Sequence, residues 1–353
     1  MKHINVCHKD FMKYRKEFEN YKNKDLTEAD TRSKIIDVLF KSSGNVRNKT
    51  FTIQNDNVRI FLLGLKSTLF DKQNSEILNF IHETTYPNIR NGLEIFKQFL
   101  ISGHTEVSQY ILRYKDNDND NEDQSNLIPY WEFIKAVGLN NRKYYKYDIS
   151  IINNLFYSTK GTNNHFVKIK ILSFLDSKLK KGGNSGKHYI VQELVNEFVN
   201  VGYVHKYIIA ELEELSKWRM IETDKQVSDI ECFGQIEFDD IICISMKGHH
   251  YLNSLLNKFS YLEMTLEDTP IFNDDFFNEM KSIFPQSDDN GKRNLKRRVE
   301  VVEKFIDYLS HEEKSETVES QIFVKDIVKT IKHGANKDIK RIREKIVMLE
   351  KQK

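Results

Sequence analysis

Two kinds of residue cluster in this sequence could do chemistry, and the first is a glycine-rich run that could hold phosphate. The run Gly182-Gly-Asn-Ser-Gly-Lys-His188 has the glycines and the lysine of a phosphate-binding loop. Such a loop needs about four residues between its first glycine and the Gly-Lys pair, and then a Ser or Thr hydroxyl for Mg²⁺. Here the spacing is one residue short and His188 replaces the hydroxyl. We therefore expect a turn between helices and no ATP hydrolysis by this chain alone.

The second kind of cluster contains histidine and cysteine, the usual ligands of zinc. His3, Cys7 and His8 are close together, and His249 and His250 are adjacent. No second Cys/His pair follows at the spacing of a zinc finger, so we expect surface histidines and no metal. No Ser or Cys has the sequence context of a catalytic nucleophile. The sequence thus predicts no catalytic residue and no cofactor.

Composition limits the class of protein. The chain has 353 residues, of which 30% are charged and 39% hydrophobic, enough for two or three folded domains. A net charge of +2 by itself indicates neither a nucleic-acid nor a membrane partner. The three scattered cysteines, Cys7, Cys232 and Cys243, favour a reducing compartment. Without a signal peptide or a membrane-spanning apolar run, the expected location is the bacterial cytoplasm.

Residues 57–103 contain three successive helical patterns that predict a small bundle. The fold class expected from this region and the rest of the chain is mainly α, with a helical bundle, a winged helix-turn-helix with a small β-wing, and a helical tail. The apolar positions of the three patterns are Val58, Phe61, Leu62, Leu65 and Leu69, then Ile77, Leu78 and Ile81, then Ile89, Leu93, Phe96 and Leu100.

The run from Tyr86 to Gly103, beginning Tyr-Pro-Asn-Ile-Arg-Asn-Gly, resembles the lid helix of bacterial AAA+ and related signal-transducing NTPases. In those proteins Asn-Ile/Val-Arg opens a helix whose arginine reaches the terminal phosphate of the nucleotide. The resemblance implies that Arg90 is a nucleotide-contacting cation. The phosphate-binding core of these NTPases is missing, so the resemblance implies a regulatory or binding part of an NTPase system.

The region from residue 165 onward is similar to the winged helix that often follows such a lid. The phrase 244–252 resembles the passage from the last strand into the last helix, which a glycine starts. Together with the lid, this likeness spans about residues 57–275. The predicted helices are 166–179, 189–201 and 205–218, with a turn at 181–186, and the predicted strands are 220–223 and 241–245.

Charge argues against DNA binding by this winged helix. Residues 222–240, which would form the wing, contain seven acidic residues and one lysine. Because phosphate contacts supply most of the non-specific affinity for DNA, a negative wing favours contact with a partner protein. The expected recognition helix carries His205, Lys206 and Lys217 against Glu211, Glu213 and Glu214.

The tail, residues 290–353, is helical and basic, and its last 29 residues, 325–353, carry ten Lys or Arg against four Asp or Glu. If the chain contacts DNA, the tail is the expected place; a solvated helix face is the alternative. Its apolar seam, Ile339, Ile342, Ile346 and Leu349, could join one partner helix and so make an oligomer. The candidate DNA-contacting residues are Lys292, Arg293, Lys296, Arg297, Arg298, Lys337, Lys340, Arg341 and Arg343.

A phrase near the start, Leu26-Thr-Glu-Ala-Asp-Thr-Arg-Ser-Lys-Ile-Ile-Asp-Val-Leu-Phe40, resembles the opening helix of the nuclease domain of type I restriction-enzyme motor subunits. That family continues with a strand bearing Asp and then Glu-x-Lys, which bind a catalytic metal. The Glu-x-Lys at Glu279-Met280-Lys281 lies far downstream without a preceding strand. An ordinary helix capped by Thr27 is the simpler interpretation.

These patterns divide the chain into five predicted segments: 1–50, a helical segment; 51–114, the lid-like bundle; 115–127, an acidic linker; 128–275, the winged helix with flanking helices; and 276–353, the basic tail. The linker's Asp116, Asp118 and Asp120 lack the glycine and glutamate of a calcium loop. The expected function is a non-enzymatic accessory of a bacterial NTPase system, in phage defence, that binds a protein or DNA. The alternative is a remnant or split nuclease–ATPase subunit that completes an active site in trans.

Overall fold

The computed structural model of the chain describes residues 76–86, 88–105, 128–158, 164–181, 188–225, 235–284, 291–316 and 326–351. The chain divides into two compact units, and the described residues other than Ile128 belong to the one formed by Ser75–Glu106 and Pro129–Lys353. Several sequence predictions lie outside the described residues: the histidines and cysteine at 3–8, the nuclease-like phrase at 26–40, the helical pattern at 58–69, the acidic run at 115–126 and the glycine-rich run at 182–187.

The described residues are mainly helical with one small three-stranded antiparallel sheet, which confirms the predicted fold class at this level. No helix among them is long and apolar enough to cross a membrane. The helices are α1 (Glu76–Thr85), α2 (Ile89–Ile101), α3 (Tyr130–Leu139), α4 (Val167–Lys181), α5 (Val191–Asn200), α6 (His205–Lys217), α7 (Met246–Asn253), α8 (Phe259–Thr265), α9 (Asp274–Ile283), α10 (Gly291–Ser315) and α11 (Ile327–Lys351), and the strands are β1 (Tyr189–Ile190), β2 (Ile221–Thr223) and β3 (Ile241–Ile244).

The sheet has the order β1-β3-β2, so β3 is its central strand. Tyr189 and Ile190 pair with β3, and Val191 N donates to Asp240 O at 3.0 Å. The helix predicted at 189–201 therefore begins two residues later than expected. Its first two residues are aromatic and β-branched, types that suit a strand when a partner strand is present.

The helices α4, α5 and α6 form a core against one face of this sheet. Along β3, Ile242 and Ile244 are buried whereas Ile241 is exposed, as the alternation of side chains in a strand requires. Phe174 of α4 contacts Tyr189 of β1 and Phe198 of α5, with ring centroids 5.1 and 6.0 Å apart. The buried apolar residues of α5 and α6 are Val191, Leu194, Val195, Phe198, Ile208, Leu212 and Leu215.

The lid-like helices α1 and α2 pack against each other and against α3, and α1 also packs against α7. In α2 the deeply buried residues are Ile95 and Phe99, and the Phe99 ring lies 5.0 Å from that of Phe133. The expected apolar positions were different, and one of them, Leu100, is 38% exposed. The predicted helix is confirmed, while its core face is rotated because packing against α3 selects the face.

A hydrogen bond and an ion pair connect α1 to the region around α7 and α8. His250 Nδ1 contacts the Glu83 carboxylate, and Lys258 Nζ lies 2.8 Å from Glu76. Burial lowers the pKa of His250, an effect that Glu83 opposes. The lid-like hairpin therefore packs within the same compact unit as the residues after 128, while the predicted domain boundaries stay predictions.

The basic tail is not a separate appendage. Its two helices, α10 and α11, pack against each other and against α8. Phe305 and Leu309 of α10 and Ile331 of α11 are completely buried. Ile339, the first residue of the predicted seam for a partner helix, is also buried within this unit. Removing the tail would thus expose core residues.

Residues 151–157 form a buried segment that is neither helix nor strand. Tyrosine hydroxyls satisfy its backbone, because Tyr251 Oη accepts from Asn153 N at 3.1 Å and Tyr261 Oη accepts from Leu155 N at 2.9 Å. Tyr261 Oη also donates to Asn153 O at 3.0 Å. Both tyrosines lie on the helices that follow the sheet, α7 and α8, so this segment ties those helices to the core.

The connection from β3 into α7 packs closely against the backbone of Met220, just after α6. Ser245 is the N-cap of α7, with its hydroxyl accepting from Gly248 N at 3.0 Å and its amide donating to Met220 O at 3.0 Å. The helix starts at Met246, so Gly248 does not start it as expected. A Cβ at Gly248 would lie 2.1 Å from Met220 O, which only a shift of the backbone could relieve.

We predict that Gly248→Ala destabilises the fold by about 1–3 kcal/mol or more, since an added methyl group at this position overpacks against backbone. The free energy of unfolding in urea, followed by circular dichroism, measures the effect. Gly103→Ala is the matched control, because its Cβ would meet its nearest neighbour, Asn141 Oδ1, at an ordinary 3.5 Å. Equal stability of the two variants would contradict the close approach of α7 to Met220.

Candidate functional site

Arg90, the candidate nucleotide contact, lies in the first turn of α2 and is exposed. Asn88 caps this helix, and its side chain accepts from Asn91 N at 3.3 Å. The cap fixes the start of α2, so the Arg90 side chain leaves the helix where the backbone amides point outward. The geometry is that of a cation available to a ligand from outside this part of the chain.

Helix α6, the expected recognition helix, carries three glutamates, and two of them point into the core. Lys168 of α4 is buried and places its Nζ 2.5 Å from Glu211 Oε2 and 2.7 Å from Glu214 Oε2. The same Nζ donates to Tyr157 O at 2.6 Å and lies 5.3 Å from the centre of the Trp218 ring. Burial raises the pKa of Glu214, and Lys168 opposes this. The surface of α6 is therefore less negative than the sequence count suggests.

A negative surface remains on the strands and the connection after α6. Glu222, Asp224, Glu237 and Asp239 are exposed. Lys225 lies beside part of this surface: its Nζ contacts Glu237 and lies 2.5 Å from Asp240 and 3.7 Å from Asp239. Three of these carboxylates, those of Glu237, Asp239 and Asp240, come within 4.8 Å of one another. The Lys225 ammonium satisfies them, so the cluster is an ion-pair network.

Exposed apolar side chains accompany these carboxylates. Ile190 and Ile241 are cross-strand partners on the face of the sheet that points away from the core. The Phe238 ring is 45% exposed and lies 5.2 Å from the ring of His205, at the start of α6. Val204, just before α6, is 51% exposed. The exposed carboxylates next to them are Glu193, Glu222, Glu237 and Asp239. We call these four residues together with Ile190, Val204, Phe238 and Ile241 the apolar–acidic surface.

Two of the candidate DNA-contacting arginines make ion pairs, the partly buried Arg298 and the exposed Arg343. Arg298 of α10 makes a two-pronged ion pair with Glu263 and lies 6.0 Å from the Trp131 ring centre. Arg343 of α11 donates to both carboxylate oxygens of Glu303, at 2.8 and 2.7 Å. The side chains of Lys292 and Arg293, at the start of α10, lie outside the described residues. The remaining candidates are exposed: Lys296 and Arg297 on α10, and Lys337, Lys340 and Arg341 on α11.

A buried histidine that the sequence did not predict joins α10 to the buried segment at residues 151–157, which we call the irregular segment. His165 Nδ1 lies 2.7 Å from Phe156 O and its Nε2 lies 2.8 Å from Tyr308 Oη. A carbonyl can only accept, so Nδ1 carries the proton and Nε2 accepts from the tyrosine hydroxyl. The ring stacks on Phe272 at 4.9 Å, and burial lowers the pKa of His165 to about 4. The imidazole is thus held neutral as a structural link.

Sequence alone gave little sign of these buried polar groups. His165 stood at the start of a predicted helix, and Lys168 looked like one of many charged residues on it. The one available signal was the spacing of Lys168 and Lys170, which places lysines among apolar residues on the first turns of α4. No family model, curated protein or solved structure matches this chain.

We predict that Lys168→Met costs about 3–5 kcal/mol of stability at pH 7, because it leaves two buried carboxylates without their cation. Urea unfolding measures the loss, and adding Glu211→Gln and Glu214→Gln to the same chain should recover part of it. The control is Lys97→Met, which breaks an exposed pair with Glu94 and should cost less than about 1 kcal/mol. A Lys168→Met chain as stable as the control would show that the buried pairs are not formed.

We also predict that the fold loses stability as pH falls from about 6.5 to about 4 through His165. In this interval the unfolded histidine takes up a proton and the folded one cannot, so the unfolded state is favoured, by about 3 kcal/mol over the whole interval. His165→Gln lacks this loss, although it starts from a lower stability at pH 7. Unfolding free energies at pH 7 and pH 4.5 give the slope, with exposed His311→Gln as control. Equal slopes in all three chains would contradict the neutral, buried imidazole.

Proposed function

We propose that the chain is a non-enzymatic accessory protein of a bacterial NTPase system, in phage defence, that binds a partner protein through a winged helix and DNA through its C-terminal helices. The observation that carries this proposal is the uneven distribution of exposed charge. Carboxylates dominate the strands and connection after α6, whereas Lys and Arg dominate the exposed face of α11. The two surfaces therefore suit ligands of opposite charge.

The order of elements supports the assignment of a winged helix. The chain runs α4, β1, α5, α6, β2, β3, and the sheet order is β1-β3-β2 with antiparallel neighbours. In a winged helix, three helices and a small sheet alternate in this way; the third helix is the recognition helix and the connection between the last two strands is the wing. On this assignment α6 is the recognition helix and Glu222, Asp224, Glu237 and Asp239 belong to the wing.

The charge of this wing supports a protein ligand. A DNA-binding wing approaches phosphates, and four exposed carboxylates there would repel them. Exposed apolar side chains next to the carboxylates, such as Phe238 and Ile241, favour contact with another protein. The α6 helix contributes Lys206 and Lys217 as exposed cations, against exposed Glu213.

The relation to an NTPase system is supported by the lid resemblance and by the position of Arg90. Helices α1 and α2 form a two-helix hairpin that begins its second helix with Asn88-Ile-Arg90. Because Arg90 is exposed, it could meet a nucleotide phosphate bound by another protein, as a cation supplied in trans does in phosphoryl transfer.

For the DNA contact, we predict that the triple variant Lys337→Glu, Lys340→Glu, Arg341→Glu binds duplex DNA at least about tenfold more weakly at low salt. Removing about three phosphate contacts should also reduce the slope of log Kd against log salt by about 2 to 3. Fluorescence anisotropy of a labelled duplex across a salt series measures both. Point variants are used instead of a truncation of the tail, because α10 and α11 contain core residues such as Phe305.

The matched control is Lys206→Glu with Lys217→Glu, which reverses the exposed cations of α6. Binding within about twofold of the unaltered chain is expected, since the acidic wing keeps DNA away from α6. An equal or larger loss in this control would move the DNA contact to the winged helix. No DNA binding by the unaltered chain would refute the nucleic-acid part of the proposal and leave protein binding.

A further inference from the structure

The outer face of the small sheet presents apolar side chains to solvent. In an antiparallel pair, directly opposite residues lie on the same face. Ile190 and Ile241 are opposite each other and are 40% and 38% exposed, while Tyr189 and Ile242 turn to the other face, where Ile242 is buried. The exposed isoleucines therefore make one continuous contact area instead of two isolated residues.

Phe238 extends this area toward α5 and α6. The Phe238 carbonyl accepts a hydrogen bond from Gln192 N at 3.0 Å. Gln192 lies in the first turn of α5, two residues after Ile190, so Phe238 lies beside this turn. Its ring lies next to His205, the first residue of α6, and exposed Val204 precedes that histidine. Side chains from the sheet, the connection after β2 and the start of α6 thus meet on the apolar–acidic surface.

Carboxylates surround these apolar side chains. Glu193 is exposed in the first turn of α5, and Glu222 is opposite Cys243 on the same outer face as Ile241. Glu237 and Asp239 are the neighbours of Phe238 along the chain. Lys225 pairs with the last two and with Asp240, and its single positive charge offsets only one of these three carboxylates, so they add to the negative charge that Glu193 and Glu222 give the surface.

We propose that the apolar–acidic surface binds a segment of a partner protein whose apolar side chains are flanked by Lys or Arg. The inference rests on the proposed function, since it specifies the ligand of the same winged helix. Apolar side chains supply the contact area, and complementary charge selects a basic segment and excludes acidic ones. Nucleic acid has the wrong charge for this surface, and a second copy of the chain is a competing occupant that the experiment distinguishes.

A library of random twelve-residue peptides displayed on phage tests the chemistry of the occupant without a known partner. The full chain is the bait, and synthetic versions of enriched peptides are then measured by fluorescence anisotropy. We expect enriched peptides to combine apolar residues with Lys or Arg. We expect binding at least about tenfold weaker to the variant Phe238→Ser with Ile241→Thr, because the central contacts of an interface carry most of its affinity.

The matched control is Phe277→Ser with Ile149→Thr, the same substitutions at residues that are each 47% exposed elsewhere. This control should bind the peptides like the unaltered chain. A second variant, Glu193→Lys with Glu222→Lys, should weaken binding and reduce its salt dependence. Since all four substituted positions on the surface are exposed, circular dichroism should show an unchanged fold.

Three results would overturn the inference: no enriched peptide, enriched peptides that are acidic or uncharged, or equal binding by the surface variant and its control. Sedimentation velocity adds a fourth. If the unaltered chain is a dimer and the variant Phe238→Ser with Ile241→Thr is a monomer, the occupant of the surface is a second copy of the chain. DNA anisotropy on the same variants separates this inference from the proposed function. Peptide binding without DNA binding refutes only the DNA contact, and DNA binding without peptide binding refutes only the inference.

Discussion

A buried stretch of chain that is neither helix nor strand imposes the main constraint on this structure. Ile152, Asn154, Leu155 and Phe156 are almost completely buried, and a backbone in that position must find its hydrogen-bond partners inside the protein. Side chains provide them from α7, α8 and the elements around the sheet. The phenols of Tyr145, Tyr251 and Tyr261, the Asn154 side-chain oxygen, which accepts from Phe156 N, the His165 ring and the Lys168 ammonium all bond to this segment or its immediate neighbours.

The same constraint accounts for the shifted pKa values of His165 and Glu214. A perturbed pKa is often a sign of a catalytic group, but in that case the group faces a cleft. Here burial is the first cause of the shift at both His165 and Glu214, and their polar neighbours are structural. The proton on His165 Nδ1 is directed at Phe156 O, and the Lys168 ammonium at Tyr157 O. These groups stabilise the irregular segment.

Local patterns in the sequence predicted the elements well and their environments poorly. The helices α4 and α6 and the strands β2 and β3 lie within about two residues of their predicted bounds, because periodicity and turn residues are local signals. The strand at Tyr189 was missed since its partner on β3 is distant in sequence. The inward direction of Glu211 and Glu214 was missed for the same reason, because it depends on Lys168 of a different helix.

Burial also changes what the charge count of each element means. α6 loses two carboxylates to the core, and on the basic helices Glu263 and Glu303 pair with Arg298 and Arg343 and offset their charge. The exposed charge outside these pairs is a narrower basic face around Lys340 and an acidic group around Glu222. At physiological salt an exposed charge acts over only about 8 Å. Each surface therefore acts through its own local charge, and the net charge of +2 describes neither of them.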